Sequence, residues 1–265
     1  MQLATGHGRA AGHIGAILVI EAEPGFSVAE ARRLLGERIR AVPRRRLDIV
    51  AADLAALRDL GHAHGGTVND VLLTAVAGAL RTLLATRGEQ LDAVRMTVPV
   101  AARPAATSND LGNQIGIMTL TVPARDDLGS RVTRTAEITR ERKSGTRGAS
   151  AALFVPAFPL LARTGLLRWF ASHQRAVQTF VTNLRGPEDP LTFSGAAVRA
   201  IIPIPSTTGN VTVTFAAASY AGTLYITILS DPAGMTDAPA LAAALRRELP
   251  HRDQGPRPAD LSALP

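Results

Sequence analysis

An α/β fold, a mixed sheet with helices packed on it, is predicted by three observations. Apolar runs rich in β-branched residues alternate along the first half with patterns of helical period. The second half turns to closely spaced strand patterns and ends on one further helix. No internal repeat interrupts this order, so a solenoid or propeller is not indicated.

The elements follow in chain order. "HIGAILVIEA" (13–22) reads as a buried strand. Ser27 can cap a helix "SVAEARRLLGERIRAV", with Glu30 completing a capping-box pattern and Pro43 ending it. A short helix is expected at about 53–60. In "GGTVNDVLLTAVAGALRTLLATRGE", Val68, Val71, Leu72, Ala75, Ala79 and Leu83 recur at three- and four-residue steps and predict one broad apolar helix face. Gly88 suits its C-terminal stop. Strands are expected at 93–103 and 109–124, and a charged surface helix at 127–145. Further strands are expected at 178–184, 191–205, 209–220 and 222–231, the last two joined by a tight turn at Ala221-Gly222. A final helix at 236–249 begins at a cap on Thr236 or Asp237, and the Pro-rich tail 251–265 is expected to be disordered.

Composition bounds the chemistry. Hydrophobic residues make up 46% of the 265, which suits a folded protein. There is no cysteine, so disulfides, thiolate nucleophiles and cysteine metal sites are excluded. The net charge of +7 would suit a polyanion, but the charge is scattered. Of the 29 Lys and Arg residues only Lys143 is a lysine, and "RRR" at 44–46 is the one dense run. Aromatics at 4% are too few for a set of base-stacking platforms, so nucleic acid ranks last among partners. The same charge would suit a CoA phosphate or an anionic membrane surface. No signal-peptide pattern and no run of about 18 uninterrupted apolar residues is present.

Candidate chemistry is sparse. Thr67 as helix cap and Asp70 three residues on form an [ST]-x-x-[DE] capping signature, which accounts for both without invoking catalysis. Asn69 is less well explained that way, because its side chain should leave the helix on another face. His62 and His64 in "GHAHGG" could ligate a metal or act as a base, but no third ligand cluster accompanies them, so they read as two solvated histidines on a Gly-flanked loop and no metal site is expected. No nucleophile elbow, dinucleotide fingerprint or P-loop occurs. The segment 149–175, "ASAALFVPAFPLLARTGLLRWFASHQR", has two readings of equal weight. It is a lipid-facing surface carried by Phe154, Phe158, Trp169 and Phe170 with Arg163, Arg168 and Arg175 near headgroups, or a buried helical hairpin.

Taken together, "GGTVNDVLLTAVAGALRTLLATRGE", "RMTVPVAAR", "LGNQIGIMTLTVP", "FVTNLRGPEDPLTFSGAAV" and "GNVTVTFAAASYAGTLYITILSD" resemble, in order, the C-terminal half of bacterial wax ester synthase/diacylglycerol acyltransferases. The start, "HIGAILVIEAEPGFSVAEARRLLGERIRAVPRRRL", is similar to the beginning of their N-terminal half. The resemblance implies a chloramphenicol-acetyltransferase-like mixed sheet with packed helices, one near-complete half plus a fragment of the other. It implies an N-terminal remnant over 1–47, a C-terminal acyltransferase-like domain over 48–250 and the tail. It implies transfer of a fatty acyl group from acyl-CoA, a substrate and not a cofactor, to a diacylglycerol or long-chain alcohol. Asn69 and Asp70 then match the family's Asn-Asp motif.

The family's HHxxxDG motif, whose histidine serves as general base, has no counterpart here: no His-His pair occurs in the sequence. The break falls between Leu47 and Asp48. The expectation is therefore an acyltransferase by family with little or no activity alone, or else a non-catalytic lipid- or partner-binding remnant. A cytoplasmic location is expected, with peripheral contact to a membrane or lipid droplet. Self-association through the orphan strand 13–22 is expected as well.

Overall fold

The computed structural model describes residues 15–20, 45–101, 115–144, 177–193, 195–205, 211–232 and 234–250. The expected helix 27–42, the 149–175 segment with Phe154, Phe158, Trp169 and Phe170, and the tail 251–265 lie outside the described residues.

Strand β1 (Gly15–Ile20) is followed by β2 (Arg46–Asp53), α1 (Leu54–Ala63), α2 (Val68–Thr86), β3 (Ala93–Ala101), β4 (Ile115–Pro123) and α3 (Leu128–Ser144). Then come β5 (Thr179–Leu184), β6 (Thr192–Phe193), β7 (Ala196–Ile204), β8 (Val213–Tyr220), β9 (Thr223–Ser230) and α4 (Ala238–Glu248). Six strands form one mixed sheet in the order β2-β9-β8-β5-β3-β4. Its centre is parallel, β5 lying between β3 and β8, and its flanks are antiparallel.

One face of this sheet carries α2, α3 and α4. Val50, Val94, Met96, Leu120, Phe215, Ile226 and Ile228 point to it and meet Leu72, Val76 and Leu83 of α2 and Leu241 and Leu245 of α4 in one buried cluster. Alternating strand residues can feed a single core in this way because successive side chains leave opposite faces. Helix α2 has the length and apolar content to cross a bilayer, but it is mostly buried in this core. A second layer, β1-β7-β6, covers part of the opposite face. There Val198, Ala200 and Ile202 of β7 pack on Tyr220 and Tyr225. Burial raises the Tyr225 phenol above its ordinary pKa.

Helix–helix packing is locked by a polar tie. Arg131 of α3 is buried and donates to Thr74 O of α2 at 3.2 Å and to Glu248 Oε2 of α4 at 2.6 Å. Gly78 makes room for this pair, since a Cβ there would run into both Arg131 and Glu248. A glycine inside a helix costs about 1 kcal/mol relative to alanine, and here the space offsets it.

Several expectations are met at the level of single turns. Gly88 has φ 76°, and the N–H groups of Gly88 and Glu89 reach Ala85 O and Leu84 O, a Schellman stop for α2. Ala221 and Gly222 have φ 45° and 82°, the tight hairpin turn between β8 and β9. Others are corrected. The run 46–53 is a full edge strand, paired residue by residue with β9, where only a basic stop leading into a helix was expected. It crosses Leu47–Asp48 without interruption. The strand at 13–22 is not an orphan, since its described part, β1, pairs antiparallel with β7. Asp237 is the N-cap of α4, but its carboxylate binds Arg87 instead of the helix end, and that pairing holds its pKa below the usual range.

Candidate functional site

The N-terminal turn of α2 sorts the polar residues of the Asn-Asp stretch. Asp70 is 2% exposed and faces α3. Its Oδ2 accepts the Thr67 backbone N–H and the Thr67 hydroxyl, each at 2.8 Å, and its Oδ1 accepts the Thr139 hydroxyl at 2.7 Å. Thr67 and Asp70 form a capping box, although the Thr67 hydroxyl sends its own proton to the carboxylate and makes no full cap hydrogen bond to the backbone. Three donors leave this carboxylate occupied with structure. The tie continues through Thr74, whose hydroxyl donates to Asp70 O at 2.7 Å and lies 3.0 Å from the Thr135 hydroxyl.

Asn69 leaves the helix on the other side, as its position predicts, and half-buried it lines an open cleft of about 350 Å³. Three further pieces build the cleft. Helix α1 presents Leu54, Arg58 and His62, spaced four residues apart on one face. The end of β5 and the loop after it bring Asn183, Leu184, Arg185 and Glu188. The β8–β9 hairpin contributes Ser219, Tyr220 and Leu224. The loop is held close to the hairpin because residue 186 is glycine: its N–H donates to Ser219 Oγ at 3.1 Å, and a Cβ would collide with the Ser219 carbonyl. The Tyr220 hydroxyl accepts the Leu191 N–H at 2.8 Å and donates to Val198 O at 2.7 Å, tying the far end of the same loop to the second layer.

Polar groups in the cleft are only partly used by the fold. Arg185 is paired with Glu188 at 2.5 Å, and that guanidinium, helped by Arg58, keeps the Glu188 carboxyl below the usual range. The side chains of Arg58, His62, Asn69 and Asn183 make no hydrogen bond among the described residues. The arrangement suits a ligand with an apolar body, amide-binding groups and negative charge.

The two histidines are not loop residues. His62 lies in the last turn of α1, exposed to the cleft, while His64 is the C-cap and its Nδ1 sits 3.3 Å from the Thr133 hydroxyl on α3. Among the described residues, no group of three or more His, Asp or Glu could hold a metal ion. Sequence reasoning missed Arg58, Asn183 and Tyr220. The four-residue step from Leu54 to His62 was a usable signal for Arg58, whereas nothing local marks Asn183 as a cleft residue. Leu184 in the cleft, and Leu191 and Phe193 further along the chain, are exposed large apolar side chains.

Comparison with known proteins places this geometry. The family model of the WS/DGAT C-terminal domain matches residues 111–251, a span that does not include Asn69. The chain is 31% identical over 212 residues to proteins named as diacylglycerol O-acyltransferases in Mycobacterium bovis and Mycobacterium tuberculosis, covering 76% of this chain. It spans 45% of the length of each, less than half. Among solved structures it is similar to the wax ester synthase/diacylglycerol acyltransferase from Marinobacter aquaeolei VT8, with a TM-score of 0.61 and 18% identity, covering 83% of this chain and 53% of that one. At that identity the likeness establishes the fold, which is chloramphenicol-acetyltransferase-like. Together with the matched C-terminal domain, it places the chain in the wax ester synthase/diacylglycerol acyltransferase family.

Proposed function

We propose that the Asn69 cleft is half of an O-acyltransferase site, moving a fatty acyl group from acyl-CoA to a diacylglycerol or long-chain alcohol, and that the 265-residue chain turns over slowly alone. The observation that carries this reading is the convergence on a cleft with apolar walls of two half-buried amides, Asn69 and Asn183, whose side chains make no hydrogen bond among the described residues. In the reaction the alcohol oxygen attacks the thioester carbonyl, the C–O bond forms, the C–S bond breaks, and the alcohol proton ends on the thiolate. A side-chain amide N–H at the cleft suits the carbonyl oxygen as it gains charge.

The proton is the weak point. The sequence holds no HHxxxDG histidine, and His62 has no partner among the described residues to fix its tautomer or aim its ring. General-base assistance is typically worth about 10²–10⁴ in rate. On this reading residues 1–47 derive from the N-terminal half and 48–250 from the C-terminal half.

The test is turnover of labelled palmitoyl-CoA with diacylglycerol or hexadecanol, beside a full-length relative carrying HHxxxDG. A rate lower by about 10²–10⁴ is expected, with Asn69→Ala removing what remains while the fold is kept. A rate equal to the relative's, or one indifferent to Asn69→Ala, would overturn the reading. A second reading, a non-catalytic lipid-binding module, is favoured by exposed Leu184, Leu191 and Phe193. Flotation with phosphatidylglycerol vesicles in the absence of any turnover would select it.

A further inference from the structure

We infer that Arg58 binds the phosphate end of the thioester, making α1 the wall of the cleft that discriminates acyl-CoA from acyl groups on uncharged carriers. The inference rests on the acyltransferase reading of the same cleft and adds to it a substrate-recognition residue outside the Asn-Asp stretch.

Charge at the cleft rim is the first ground. Among the described residues, Arg58, Arg185 and Glu188 are the charged ones that line it. Arg185 and Glu188 neutralise each other in a 2.5 Å ion pair. Arg58 makes no hydrogen bond or ion pair among the described residues but lies near enough to Glu188 to act on its carboxyl, so two guanidiniums face one carboxylate and these three residues leave a net positive charge at the rim. A guanidinium presents several donors in a fork that matches phosphate oxygens, which is why arginine suits that ligand.

Placement is the second. Arg58 stands between Leu54 and His62 on one face of α1, Leu54 being partly buried against the core cluster that includes Leu224 and His62 being exposed. Helix α1 is itself fixed at its start, where Asp53 Oδ1 accepts the Ala56 N–H at 2.8 Å. The cation is therefore carried on an anchored helix, at the edge of a cleft whose inner amides and apolar wall suit the uncharged part of the same molecule. An amphiphile with a phosphate at one end fits that order of groups, and a neutral acyl ester does not use Arg58.

Affinity of the full chain for palmitoyl-CoA and for palmitoyl-pantetheine, which lacks the phosphates, tests this by titration calorimetry. Arg58→Gln should weaken palmitoyl-CoA about tenfold and leave palmitoyl-pantetheine unchanged, and Arg58→Lys should recover part of the loss. Binding of palmitoyl-CoA to the wild-type chain should weaken with added salt more steeply than binding to Arg58→Gln. If Arg58→Gln changes neither ligand, or both equally, the inference is overturned while the acyltransferase reading stands, provided Asn69→Ala still weakens both. If the wild-type chain binds neither thioester, both fall.

Discussion

Glu248→Ala should destabilise the fold by about 3 kcal/mol, measured as a lowered urea midpoint with an unchanged slope. The loss comes less from the ion pair than from what remains after it is broken. Arg131 has a side chain only 6% exposed and is held by Thr74 O, Asp126 O and Glu248. Without Glu248 its charge stays inside the three-helix junction, unneutralised, and desolvation of an ion is costly in such a place. The double variant Arg131→Met, Glu248→Leu should recover most of the stability, because it removes both charges and fills the space apolarly. A single Glu248→Ala within 1 kcal/mol of wild type would show that water reaches Arg131.

Asp70→Ala is the second large effect, about 2–3 kcal/mol, since it removes acceptors for the Thr67 N–H, the Thr67 hydroxyl and the buried Thr139 hydroxyl together. Asn69→Ala, one residue away, should stay within about 0.5 kcal/mol of wild type, because its side chain makes no hydrogen bond among the described residues. The adjacent pair thus separates by assay: Asp70 is read in chemical denaturation, Asn69 in thioester binding. Equal losses of stability in the two variants would mean that the carboxylate is not the anchor of α2.

That separation also marks what the sequence could and could not reveal. The capping role of Asp70 was legible from spacing alone, because Thr67 and Asp70 meet within one helical turn. The same holds for the Gly88 stop and the Ala221-Gly222 turn, where a backbone conformation selects the residue. Thr139 as a partner of Asp70 was not legible, since the two are joined only when α3 packs on α2. Strand β2 was misjudged because arginines at 44–46 read as a basic stop and the short run behind them as the approach to a helix, while its place at a sheet edge tolerates charge on one side. The family motifs found most of the C-terminal sheet but not Arg58, which no motif contains. The cleft is a product of topology, assembled from α1, α2, β5 and the β8–β9 hairpin, and its charged rim becomes visible only in three dimensions.

The position of β5 has a consequence for how the chain acquires its structure. Among the described strands it joins β2-β9-β8 to β3-β4, and its ladder with β3 pairs Met96 with Thr179 and Thr97 with Phe180. Its pairing with β3 joins residues far apart along the chain, as Met96–Thr179 does, and only the edge pairing of β2 with β9, as in Arg46–Ser230, closes a longer loop among the described strands of this sheet. Amide protection in pulse-labelled refolding should rise earlier in the β8–β9 hairpin than at the β3–β5 and β2–β9 seams; simultaneous protection would contradict that order. Asn69 and Asn183 lie far apart along the chain, and so the ligand cleft is completed only when these long-range seams have closed.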